Sequence, residues 1–251
     1  MHVLRGSADG PTAAGSQHWA LGQDGLPDTP GESDLFGDTL AAGGFSDSDQ
    51  LDLAIGMPGW GGGLGAVRVL YGTADGLSAR GHQVWDEYRL GTRDHGPEDS
   101  ESEDSPRLGA ALVTADFGRG GQDDLVIGVP ESLSPGFGSG SIQVVYGTAG
   151  GLASTGARQI SQVTPGIQGF DYDEALFGTA LAVLRPAAST AYPTLAVAAP
   201  WYGGKDDRDR SGMINLIRGS AEGLTASGDA TLRAQQFPQR PVGDGFGWAM
   251  T

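Results

Sequence analysis

The chain has 251 residues, a formal charge of −16 and no cysteine. So acidic a surface argues against binding to a phosphate backbone or to anionic lipid, and suits solubility, a cation or a basic partner. No cysteine means no disulfide framework and no thiol chemistry. The 44 glycines and 14 prolines fall between apolar runs, which points to an all-β fold with frequent turns rather than to low complexity.

In chain order, the first run is HVLRG (2–6), followed by a turn at 7–11 and an apolar run around Trp19. Phe36-Gly37 then opens a repeat. DLAIGMP (52–58) is an apolar run ending in proline, AVRVLYG (66–72) is β-rich and ends in glycine, and a turn at 73–77 leads to a run around Trp85. Leu108-Gly109 starts the same series again: DLVIGVP (124–130), SIQVVYG (141–147), a turn at 148–152 and a run around Ile160. Phe177-Gly178 starts it a third time, with TLAVAAP (194–200), MINLIRG (213–219), a turn at 220–224 and a run around Leu232. Phe246-Gly247 opens one more. The landmark glycines stand 72, 69 and 69 residues apart.

Each period holds four short runs separated by Gly, Pro, Asp and Ser turns, which is the pattern of strands. Four strands per repeat make an antiparallel blade, and repeated blades make a β-propeller. The divisions expected are 1–35 (part of a blade and a linker), 36–107, 108–176 and 177–245 (full repeats, the last degenerate), and 246–251 (the start of another). Core positions are expected at Leu53, Ile55, Leu125, Ile127, Leu195 and Val197 on the second strands. On the third strands they fall at Val67, Val69, Ile142, Val144, Ile214 and Leu216.

The FG…GxP spacing followed by YG-x-x-x-GL resembles the FG-GAP repeats of the integrin-α N-terminal type. The linkers at 16–37 and 157–178 are similar to those of secreted actinobacterial members. The resemblance implies a β-propeller at the cell surface or in the extracellular space, of about seven blades in the complete protein. The chain is then expected to be part of a longer propeller. The alternative is a four-bladed ring closed by its own termini.

The same resemblance implies Ca²⁺ at the loop between the first two strands, where the family carries D-x-[DN]-x-[DN]-G-x-x-D. Oxygen ligands on a glycine-turned loop suit this hard cation. Here the motif is eroded. The second full repeat keeps Asp116 and Asp124, with Asp123 beside them, but has Gly118 and Gly120 at middle ligand positions. The first keeps Asp52 in register, with Asp47 and Asp49 off register. The third has no acid in 184–195. Weak calcium binding is the expectation for the first two; the competing reading is of plain turns whose acids cap backbone amides.

In a meander the 2–3 and 4–1 loops share one end. That end should gather Trp60, Phe137, Trp201 and Tyr202, the charged run at 205–210 and the acidic run at 94–104. Exposed Trp and Tyr are enriched at binding surfaces; the competing reading is that Trp60 and Trp201 cover neighbouring blades as the rim of the core. Catalytic signatures are missing: the four histidines share no ligand spacing, and neither HExxH nor GxSxG occurs. Gly61 to Ala66 matches GxGxxA but leads into a strand, not a helix. Three functions are consistent with these features. The first is a non-catalytic extracellular module recognising protein or glycan, with no nucleic acid and no membrane insertion. The second is an accessory propeller of a larger secreted hydrolase, phospholipase-like. The third is a structural repeat that self-associates through open strand edges.

Overall fold

Short runs of β-branched and apolar residues, broken by glycine-containing turns, form fourteen strands among the described residues. The structure, a computed structural model, describes residues 1–92, 105–132, 138–169, 173–187, 191–203, 211–237 and 245–250. Strands β1 (His2–Ser7) and β2 (Gly10–His18) pair as a two-stranded sheet. Three four-stranded antiparallel meanders follow. They are β3 (Leu40–Gly43), β4 (Asp52–Met57), β5 (Ala66–Thr73) and β6 (Gly76–Trp85); β7 (Ala111–Ala115), β8 (Asp124–Val129), β9 (Ser141–Tyr146) and β10 (Ala153–Ile160); and β11 (Leu181–Leu184), β12 (Thr194–Ala199), β13 (Met213–Arg218) and β14 (Thr225–Arg233). This is an all-β chain, a partial β-propeller of four-stranded blades. The first strands β3, β7 and β11 touch one another in succession, so the blades converge on the side those strands line. Among the described residues no comparable contact joins β1 or β2 to the last sheet, and the described blades follow one another in a row.

The landmark glycines sit where the blades converge. Gly109 has φ +94° and donates its N–H to Gly128 O at 3.0 Å. A Cβ on Gly128 would lie 2.2 Å from Gly178 O of the next blade. Only a residue without a side chain lets the backbones pass this closely. In the last blade Ala198 takes the equivalent place, as its acceptance of the Gly178 N–H shows.

The first two full blades are apolar on both faces, because each is packed between neighbours. Ile55 and Leu70 face the first sheet while Ala54, Val67 and Val69 face the third, and all five are fully buried. Ten of the twelve expected core positions are buried; Leu53 and Leu216 are half-buried. Burying a valine or leucine in such an interface contributes roughly 1.5–3 kcal/mol.

The S/T-A-x-G-L turns are built alike. A hydroxyl at the first position donates to the glycine carbonyl at 2.7 Å, from Ser7, Thr73, Thr148 and Ser220. A long polar residue on the fourth strand of the preceding blade then grips the turn. Gln17 bonds both backbone groups of Leu77, Gln83 donates to Leu152 O, and Arg158 donates to Leu224 O.

Candidate functional site

At the end carrying the 2–3 and 4–1 loops, the aromatic residues divide. Trp60 begins a single glycine-rich helical turn, α1 (Trp60–Gly63), where Gly61 and Gly62 have positive φ. Its indole is half-buried against Leu21, Met57 and Ala66, so it serves as packing at the rim of its blade. Tyr202 is 6% exposed and belongs to the core between the second and third full blades, with the Arg233 guanidinium 5.6 Å from its ring centre. Trp201 remains 39% exposed. Its ring meets that of Trp248 edge to face, centroids 6.2 Å apart, and Trp248 is 56% exposed. Phe237 stacks at 5.4 Å on Phe246 nearby in sequence, and is itself exposed. Sequence reading did not single out Trp248 or Phe237. The aromatic residue one position after an FG landmark was the available signal. Phe137 and the runs at 94–104 and 205–210 lie outside the described residues.

At the opposite end stand the acids of the 1–2 loops. Asp124 is 1% exposed, and its carboxylate accepts the Phe117 N–H at 3.0 Å and the Gly147 N–H at 3.1 Å. Asp52 does the same in its own blade, with the Phe45 N–H at 3.0 Å and the Gly72 N–H at 2.9 Å. Each therefore ties the 1–2 loop to the end of the third strand. In the degenerate blade Thr194 stands in this place, and the Gly219 N–H goes to Pro193 O instead. Desolvation raises Asp124 to about 7, against the two amides, with the charges of Asp116 and Asp123 adding to the rise. Desolvation also raises Asp52, opposed by its amides.

The remaining acids are used in turns and between blades. Asp116 accepts the N–H of Gly118 at 2.9 Å, Asp123 that of Gly44 at 3.0 Å, and Asp47 the amide of Gln122. Asp49 is exposed. Each loop docks on the 3–4 turn of the next blade at equivalent positions: Asp47 N–H to Ala149 O and Arg119 N–H to Ala221 O. Gly118, at a middle ligand position of the motif, passes so near Ser220 that a Cβ would lie 1.7 Å from its carbonyl oxygen. Among the described residues no three acids or histidines converge as a metal site.

In the structure the carboxylates of these loops hold backbone amides and blade junctions. The expected result is a cooperative circular-dichroism melt whose midpoint is the same in excess Ca²⁺ and in chelator. A midpoint that rises with Ca²⁺ would show that the native state binds the ion, since a ligand of the native state stabilises it by mass action.

No family model matches the chain. It is similar to part of phosphatidylinositol-glycan-specific phospholipase D from Rattus norvegicus, 33% identical over 128 residues, which is 50% of this chain and 15% of that protein. The human counterpart is 32% identical over 133 residues, 52% of this chain and 16% of its own length. Integrin alpha-PS2 of Drosophila melanogaster is 26% identical over 224 residues, 88% of this chain and 14% of that protein. The chain therefore spans only about a seventh of the length of the curated relatives it matches. These similarities agree with an integrin-α-like β-propeller region. No helix among the described residues is long and apolar enough to cross a membrane.

Proposed function

We propose that the chain is a non-catalytic, extracellular recognition region of the integrin-α-like propeller type, binding protein or glycan through the aromatic pair Trp201 and Trp248. The observation that carries this is the exposure of two indoles set edge to face at one end of the last blade. Indoles supply large contact area at small entropic cost and also stack on sugar rings. The similarity to an integrin α-subunit across most of the chain supports the recognition reading. Similarity to a phospholipase D over half of it supports a second one, an accessory propeller of a larger hydrolase.

The test is a binding screen of the purified chain on protein and glycan arrays, followed by affinities for the best ligand. Trp201→Ala and Trp248→Ala are each expected to weaken binding by about tenfold or more, as hot-spot truncations do. Trp60→Ala serves as the contrast, acting on stability rather than on affinity. A ligand held equally by all three variants would overturn the assignment of the site. Release of product from a phosphatidylinositol-glycan substrate by this chain would overturn the non-catalytic reading.

A further inference from the structure

Each full blade carries one buried polar residue at the same place on its third strand. These are Arg68, Gln143 and Asn215, which pair with Ile55, Ile127 and Val197 on the second strands. Each reaches the linker that leads into its own blade. Arg68 is paired with Asp28, Gln143 Nε2 donates to Thr92 Oγ1 at 3.3 Å, and Asn215 Nδ2 donates to Gln168 O at 2.7 Å. In the first of these links the charges cancel, and in the second both groups are neutral. The third link, between the second and third full blades, holds a carboxylate.

Asn215 Nδ2 also donates to Asp229 Oδ2 at 2.9 Å, and the Gln168 N–H reaches the same oxygen at 2.7 Å. The Gln168 side-chain amide returns to Asp229 O. Asp229 is 6% exposed, and among the described residues no cationic side chain pairs with it. A carboxylate this buried is costly to keep ionised without a counter-charge. Three buried oxygens here have no hydrogen-bond partner: Asp229 Oδ1, Asn215 Oδ1 and Gln162 Oε1. The Asn215 amide is oriented by its two acceptors, so the atom left over is its oxygen. Gln162 is 4% exposed and borders Gly169, which follows Gln168 on the linker; a Cβ on Gly169 would lie 3.2 Å from Gln162 Nε2. That nitrogen is unpartnered as well, so either end of the carboxamide can face the link. Oxygens without donors call for a cation rather than an anion, and carboxylate and amide oxygens suit a hard one. The set holds one negative charge. A monovalent ion cancels it, whereas a divalent ion would leave a positive charge buried.

We propose that Asp229, Asn215 and Gln162 form a binding site for a monovalent alkali cation, sodium or potassium, that clasps the linker at 161–169 to the third and fourth strands of the last full blade. The site lies between two full blades and away from the 1–2 loops. The probe is the ion itself: the chain is melted in sodium, potassium or N-methyl-D-glucamine chloride at one ionic strength. Screening of the chain's excess acids is then the same in all three salts, and a difference between them reports the site. The midpoint is expected to rise saturably with sodium or potassium over the organic cation. At ten times the dissociation constant the folded-to-unfolded ratio should be about tenfold higher. Asp229→Asn keeps the shape and removes the charge, and is expected to abolish the difference. Gln162→Met removes one ligand oxygen and leaves the carboxylate in place. It should raise the cation concentration needed about tenfold, and it serves if Asp229→Asn folds poorly. A midpoint equal in all three chlorides, an alkali response that survives in Asp229→Asn, or an undiminished response in Gln162→Met would each overturn the proposal.

Discussion

Asp124→Ala is expected to lower the unfolding free energy by about 2–5 kcal/mol, the largest effect of any single side-chain truncation considered above. The carboxylate satisfies two backbone donors, the Phe117 and Gly147 N–H groups, and Phe117 and Gly147 are themselves buried. Alanine leaves both donors dry, at a cost of roughly 1–3 kcal/mol for each unsatisfied group. Removing a desolvated charge offsets part of that cost. Phe117 follows the broken link: it is fully buried in the core shared with the last blade, so loosening the loop exposes an aromatic ring as well as two amides. Urea denaturation of the variant against the native chain measures the difference. Asp52→Ala should behave alike, through Phe45 and Gly72. A loss below about 1 kcal/mol would mean that water replaces both carboxylate bonds, and the aspartate would not be the tie between loop and strand.

The backbone amides that these carboxylates hold are not visible in the sequence. Asp116, Asp123 and Asp124 occupy positions that a calcium loop uses, and residue type with spacing does not separate a ligand from a carboxylate holding backbone amides. What separates them is where the neighbouring blade runs. Gly118 passes against Ser220, more than a hundred positions away in sequence. The blades themselves were legible, because their signals are local: glycine at the convergence, alternating apolar strands, a hydroxyl closing each turn. Burial of both faces was less legible. Val126 and Leu70 look like outward positions in an alternating strand, yet each is fully covered by an adjacent blade. Trp60 and Tyr202 read as surface aromatics since they sit in glycine-rich loops. Trp60 packs at its blade's rim and Tyr202 in the core between two blades, leaving Trp201 with Trp248 at the surface.

Stability should also fall as pH rises from about 4 to about 7, opposite to the usual behaviour of a salt-bridged aspartate. Burial lifts Asp124 to about 7 in the folded chain, whereas an aspartate in the unfolded chain titrates near 3.9. Below about pH 4 the carboxyl is protonated in both states, and the full stability is present. Between the two values the unfolded state has released its proton and the native state retains it, so each step up in pH favours unfolding. Above about 7 both are ionised and the dependence ends. Three units correspond to roughly 4 kcal/mol at most, since one unit is about 1.4 kcal/mol. Asp52 and Asp229 are raised in the same direction, each chiefly by desolvation, and add to the slope. Repulsion among the chain's excess acids acts in the same sense, so the native profile alone does not isolate Asp124. Asp124→Asn does: it keeps the size, removes the titration, and is expected to flatten the profile between pH 5.5 and 7.5, read from thermal melts on both chains. If the native chain is already flat across that window, the two amide donors hold Asp124 ionised against its burial, and the stitch is a charged one at every physiological pH.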